Sequence, residues 1–229
     1  MKMHVVARPP AASLAALLAA LLAAPLGSLA LAGRACAETP RDSQGGYLGL
    51  SAGALRSTAG AVNPALQAQG LSLRNTAADD RDAGWKLYAG WHLGRHLSVE
   101  GGYAVLGRYR SEGQVVQDPG TVQATFKASD WNLAALAILP LGPGWDVFGK
   151  AGAGRWQTRL DTQGSFSGRG AQPAQARGGG PLLGLGARWR CIDALSARVE
   201  WERFGHIGQA DRTGQADIDF LSLGLQYRF

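Results

Sequence analysis

The sequence is poor in cysteine, with two in 229 residues, Cys36 and Cys191. That excludes a disulfide-stapled scaffold and a thiolate metal cluster, and neither a metal site nor a cofactor site is expected. Charge of one sign is scarce too. Lys2, Arg8 and Arg34 account for three of the 23 basic residues, and no acidic residue precedes Glu38. Residues 38–229 therefore carry 20 basic against 17 acidic groups. A surplus of this size gives no footprint for nucleic acid, and none is expected as a partner. Long apolar runs are absent beyond residue 37, where no stretch approaches the roughly 20 residues that a membrane helix needs.

What is present begins with an address label. Lys2 and Arg8 give a positive start, Ala11 to Ala24 an apolar middle, and Ala35-Cys36-Ala37 a small-x-small cleavage site. Residues 1–37 are expected to be a signal peptide, with Glu38 starting the mature chain and 38–229 forming one domain. The rival reading of a membrane helix, drawn out to Ala32, is interrupted by Pro25 and Gly27. A lipid-modified Cys36 is disfavoured by the charge of Arg34. If the mature chain enters a membrane, it must do so as a closed barrel, because only helices and closed sheets satisfy every backbone polar group in lipid.

After Glu38 the dominant period is two. Eight segments show it: 46–54, 84–93, 97–106, 129–139, 145–155, 181–189, 195–204 and 217–229. Most have about the 9–11 residues of a tilted membrane strand. Their connections alternate between short (94–96, 140–144, 190–194) and long (55–83, 107–128, 156–180, 205–216). This fits an all-β, eight-stranded antiparallel up-and-down transmembrane barrel, with short periplasmic turns and long, mobile external loops. Eight strands leave both mature termini periplasmic.

Each strand has one apolar face, such as Leu183, Leu185, Ala187 and Trp189 in the sixth. Alternation does not say which face points outward, and a lipocalin-like barrel would reverse the polarity. The aromatic residues decide. Trp85, Tyr103, Trp131 and Trp201 fall toward one strand end; Trp91, Trp145, Trp189, Tyr227 and Phe229 fall toward the other. Two belts on an apolar wall fit the headgroup levels of a bilayer. The charges then point inward. Glu100, Lys150, Arg188, Arg198 and Glu200 lie at low to middle depth, and Lys86, Asp130, Glu202 and Asp219 nearer the external rim. Buried charges must pair, so Lys86, Glu100, Lys150, Arg188, Arg198, Glu200 and Glu202 are expected to form an ionic cluster filling the lumen.

Gly49-Leu50-Ser51-Ala52-Gly53 matches the nucleophile pattern of serine hydrolases but sits inside a strand, with no helix after it. Gly149, Gly152 and Gly154 resemble a nucleotide loop and likewise lack a helix. His96 and Ser98, with Glu100, resemble the His-x-Ser of outer-membrane lipid A deacylases. His96 falls in a turn expected on the periplasmic side, however, and Ser98 and Glu100 should face inward. No catalytic residue is assigned.

The run Gly84-Trp85-Lys86-Leu87-Tyr88-Ala89-Gly90-Trp91-His92-Leu93-Gly94, followed by Leu97 to Tyr103, resembles the N-terminal barrel domain of the outer membrane protein A family. So do Arg198 to Phe204 and the ending Tyr227-Arg228-Phe229. The resemblance spans about residues 45–229. It implies an eight-stranded barrel in the outer membrane, assembly by the outer-membrane insertion machinery, and Phe229 as the terminal aromatic of the insertion signal. The periplasmic peptidoglycan-gripping domain of many members has no counterpart here, so cell-wall anchoring is not expected. The implied function is structural or surface-interacting, amid outer-membrane lipids and lipopolysaccharide, with an external ligand the sequence does not name. Alternatives are a narrow small-solute porin and, more distantly, a lipid A-modifying enzyme. Arg155, Arg159, Arg169 and Arg177, in or beside the third long loop, are candidate contacts for lipopolysaccharide phosphates.

Overall fold

A computed structural model describes residues 45–57, 73–79, 81–115, 121–165, 173–210 and 212–229. The expected signal peptide, the start at Glu38 and Arg169 lie outside the described residues. The strands are β1 (Gly45–Ser57), β2 (Leu73–Asp79), β3 (Arg81–His92), β4 (Leu97–Val115), β5 (Thr121–Gly142), β6 (Trp145–Ser165), β7 (Ala174–Arg190), β8 (Leu195–Gln209) and β9 (Gly214–Arg228). β2 and β3 follow one another along the same neighbour. β4 pairs with β3 through Trp85↔Val105 and with β2 from Asp79↔Arg110 upward. They are two pieces of one stave, so the nine strands among the described residues make eight staves. All pairings are antiparallel, and β4 with β5 closes the sheet into a barrel. The chain ends meet where β1 pairs with β9 and the Phe229 amide donates to the Gly46 carbonyl at 3.1 Å.

The staves run well past the expected segments, so much of the connections 107–128, 156–180 and 205–216 is strand. β5 and β6, for instance, stay in register from Gly142↔Trp145 up to Thr121↔Ser165. The Gly-, Ser-, Gln- and Arg-rich composition that reads as loop belongs to strands whose outer face is polar. There the alternation continues with its faces exchanged. Along β6 the inward residues change from Asp146, Phe148 and Lys150 to Trp156, Thr158 and Leu160. The outward ones change from Trp145, Val147 and Ala151 to Arg155, Gln157 and Arg159.

Two of the four register shifts among the described residues adjust the faces of long staves. Between Val105 and Arg108, β4 offers two residues against Ala128 of β5, and Gly107 takes φ 79°. One extra residue reverses the side to which every later side chain points. Tyr109 thereby turns inward, while Arg108 and Arg110 turn outward. A second bulge between Phe204 and Ile207 keeps both of those residues inside, with His206 between them at φ 56°.

Candidate functional site

The lumen is filled in three layers. The middle layer is ionic. β3 supplies Lys86, β4 Glu100, β6 Lys150, and β8 Arg198, Glu200 and Glu202, all at inward positions of the two-residue period. Lys86 Nζ donates to Glu200 and Glu202, each at 2.5 Å. Lys150 Nζ donates to Glu100 and Glu202, each at 2.7 Å, and lies 3.5 Å from Glu200. Arg198 bonds Glu100 at 2.6 Å and Glu200 at 2.7 Å. All six side chains are at most 1% exposed. Three cations face three carboxylates, so the layer is neutral, and each cation spans at least two acids. Such geometry is needed to offset the desolvation of buried charge. Tyr47 donates to Glu100 at 3.1 Å, and the Arg198 guanidinium lies over the rings of Tyr88 and Phe148, 4.6 and 4.4 Å from their centroids. Tyr47 and Tyr88 fit because each stands opposite a glycine, Gly90 and Gly49 in register. A Cβ on either glycine would overlap the ring.

Arg188 is not part of this layer, contrary to the sequence expectation. It sits nearer the short turns and bonds Asp146 at 2.9 and 3.1 Å, with His92 Nε2 at 3.2 Å. The reason is register. Arg188 pairs directly with Asp146 across β6–β7, four residues below the Lys150↔Gly184 pair. Ser98 Oγ lies 2.5 Å from His92 Nδ1 in the same lower group. Asp219 also departs from expectation. It shares the outward face with Leu221 and pairs with Arg203 at 3.4 Å across β8–β9. Its odd number, matching Leu221 and Leu223, already carried that information.

Above the ionic layer lies an apolar plug missed by the sequence reading. Leu55, Leu106, Tyr109, Phe126, Trp156, Leu160, Leu182, Phe204, Ile207, Ile218 and Phe220 are buried in one cluster. Inward parity covers Leu106, Leu182, Phe204, Ile218 and Phe220 within the expected strands; Leu55, Phe126, Trp156 and Leu160 lie in segments that read as connections, and Tyr109 and Ile207 turn inward only after a bulge. Asp130 sits beneath the plug at 1% exposure and accepts from Asn132 Nδ2 at 3.1 Å.

On the lower outer wall the apolar side chains are exposed, among them Leu50, Leu87, Leu133, Leu185 and Leu225. Trp85, Trp91, Trp131, Trp145, Trp201, Tyr227 and Phe229 are exposed there as well, and Tyr103 and Trp189 are half-exposed. Several make ring contacts: Trp85–Tyr103 at 5.9 Å, Tyr103–Trp131 at 4.7 Å and Trp145–Trp189 at 5.9 Å. Among the described residues no group of His, Cys, Asp and Glu is arranged to hold a metal ion. The hydrolase look-alikes do not assemble. Ser51 is buried within β1, and His96 Nδ1 is 3.1 Å from the Ile138 carbonyl oxygen while Ser98 faces the lumen toward His92.

The family model of the OmpA-like transmembrane domain matches residues 42–229. Outer membrane protein A of Yersinia pseudotuberculosis is 30% identical over 167 residues, which cover 71% of this chain and 45% of that protein. Outer membrane protein A of Shigella dysenteriae is 25% identical over 156 residues, 68% of this chain and 42% of that one. The chain thus spans under half the length of these curated relatives. Among solved structures, the outer membrane protein OprG of Pseudomonas aeruginosa has a TM-score of 0.49 at 14% identity, covering 82% of this chain and 98% of its own. Ail of Yersinia pestis has a TM-score of 0.46 at 16% identity, covering 81% and 99%. The chain belongs to the OmpA-like transmembrane domain family and is an integral β-barrel protein of the bacterial outer membrane.

Proposed function

We propose that this protein is a structural and surface-interacting barrel with a sealed lumen. Its short turns and both mature termini lie on the periplasmic side, and its long staves project outside the cell. The observation that carries the reading is the stacking of a charge-balanced ionic layer under an apolar plug. The two sets of aromatic residues are interface belts: Trp85, Tyr103, Trp131 and Trp201 at the external headgroups, and Trp91, Trp145, Trp189, Tyr227 and Phe229 at the periplasmic ones. Phe229 serves as the insertion signal for the assembly machinery, after removal of residues 1–37. Outer-membrane lipids and lipopolysaccharide are the surroundings, and the protein performs no catalysis.

Planar-bilayer recording tests the seal. The purified barrel should give no regular openings, whereas stable unit conductances would establish the narrow-porin alternative, for which the charged lower lumen is the favouring feature. Lipid A mass spectra from cells with and without the protein should be identical; a lost acyl chain would establish the enzyme reading. Orientation is read by maleimide labelling of intact cells, with Cys36 replaced by Ala throughout. Cys191, in the β7–β8 turn, should be protected, and Ala210→Cys, in the β8–β9 turn, should react. The reverse pattern would invert the barrel.

A further inference from the structure

The water-facing wall above the upper aromatic set is not uniform around the barrel. On the β8–β9–β1 side, Arg203 is paired with Asp219, and Arg56 stands opposite Asp219 in the register. Asp217, also on that side, accepts from the His206 amide at 3.0 Å. Among the described residues, Arg203 and Arg56 thus flank the Asp219 carboxylate there. On the β3–β6 side the balance differs. A cleft of about 740 Å³ is lined by Arg81, Arg108, Arg110, Lys127 and Arg159, with Asp82 as its carboxylate. Asp161 beside it bonds Lys127 and Arg159, each at 2.8 Å. Asp82 accepts from the Arg108 backbone amide at 2.5 Å. Among the described residues, Arg108 and Arg110 thus stand with Lys127 and Arg159 around Asp161 and Asp82, the latter committed to the backbone.

The cleft is produced by the β4 bulge. By reversing the faces after Gly107, the extra residue brings Arg108 and Arg110 to the outside, and the interruption between Val105 and Arg108 opens the wall there. Its lower edge consists of Trp85, Tyr103 and Val105. The concavity therefore has an aromatic floor continuous with the lipid-facing wall and a cationic upper half only a few residues higher. Arg81 is four positions along β3 from Trp85, and Lys127 four along β5 from Trp131, on the same faces.

We propose that this cleft binds one phosphorylated lipid of the outer leaflet, its phosphate on Arg108, Arg110 and Lys127 and its acyl chains descending over Trp85 and Tyr103. Guanidinium groups bind phosphate oxygens in forked, charge-assisted pairs. A free anion or a sulfated polysaccharide would use the same cations but gain nothing from the aromatic floor, which is why a lipid is favoured. The site rests on the extension facing the outer leaflet, but its affinity can be read in detergent without that assumption.

The test is native mass spectrometry of the detergent-solubilised barrel with diphosphoryl lipid A, with the same lipid lacking its phosphates, and with inorganic phosphate alone. Wild type and Arg203→Gln, on the opposite side, should each retain one diphosphoryl lipid. The triple variant Arg108→Gln, Arg110→Gln, Lys127→Gln should retain at least tenfold less, as should wild type with the dephosphorylated lipid. Equal retention by the triple variant overturns the site. Equal retention of the dephosphorylated lipid, or cleft-dependent capture of inorganic phosphate that displaces lipid A, overturns the ligand. If the triple variant does not migrate as a folded barrel, Arg108→Gln alone should lower retention severalfold, and an unchanged value refutes the proposal. Failure of the labelling test with lipid retention intact would instead remove the orientation and leave the site.

Discussion

The lower and upper halves of this barrel are built from the same continuous strands but obey opposite rules. Below the Trp85–Tyr103–Trp131 contacts, leucine and tryptophan face out and charge is enclosed. Above them, arginine and glutamine face out and aromatic residues are enclosed. The solvent outside sets the rule, because a β-strand only supplies two faces and the medium decides which must be apolar. The upper half is packed like a water-soluble barrel, with the hydrophobic effect as its driving force. In the lower half that force is absent on the lipid side. Uniqueness there must come from the interior, where Lys86, Lys150 and Arg198 each bridge acids from different strands or positions.

The sharpest way to break this contrast is to unbalance the ionic layer. Lys150→Ala would strand Glu100 and Glu202 as buried, under-compensated carboxylates and should cost roughly 3–5 kcal/mol in urea unfolding from lipid bilayers. A loss under about 1 kcal/mol would mean that water already solvates the layer. In the upper half, Leu160→Ala leaves a cavity in the plug and should cost about 2–5 kcal/mol. Its signature is local: hydrogen exchange should quicken in the upper parts of β5 and β6, while the lower parts keep their protection. Exterior changes then set the halves against each other. Leu185→Arg, on the exposed face of β7 in the lower half, should cost about 2–4 kcal/mol in a bilayer. Gln157→Arg, outward on β6 above the aromatic contacts, should stay within about 0.5 kcal/mol.

The smallest effect concerns Asp161, outside the membrane-spanning region. Hydrogen bonds first from Lys127 and then from Arg159 hold its carboxyl below the usual aspartate range. The stabilisation from this lowered pKa is therefore present above the unfolded-state value and lost as pH falls through the folded one. A carbon-detected NMR titration should place its midpoint below about 3.9, and Lys127→Met should move it upward.

Much of the lower half is legible in the sequence, because there polarity and period agree: Trp85-Lys86-Leu87-Tyr88 announces both faces of a strand in four residues. The three short turns also lie where the apolar alternation pauses. The upper half is not legible by the same reading. Arg155-Trp156-Gln157-Thr158-Arg159-Leu160 alternates as strictly, but with the apolar residues on the other parity. A rule tuned to apolar-outside strands therefore passes it as loop. The bulge at Gly107 hides a further step, since nothing local announces that Tyr109 and Arg110 exchange sides there. Within the lumen, sequence parity chose the charged residues, but register alone assigned partners. It placed Arg188 with Asp146 and not with Glu100, and Arg203 with Asp219, whose own parity already put it on the outer face.

The most direct test of the two-medium account is a nitroxide scan of the outward positions of β6, from Val147 through Gly149, Ala151 and Ala153 to Arg155, Gln157 and Arg159, in lipid bilayers. The account predicts that oxygen accessibility dominates from 147 to 153 and that accessibility to a water-soluble nickel chelate takes over from 155 to 159. Nickel accessibility as high at Ala151 as at Gln157 would contradict it.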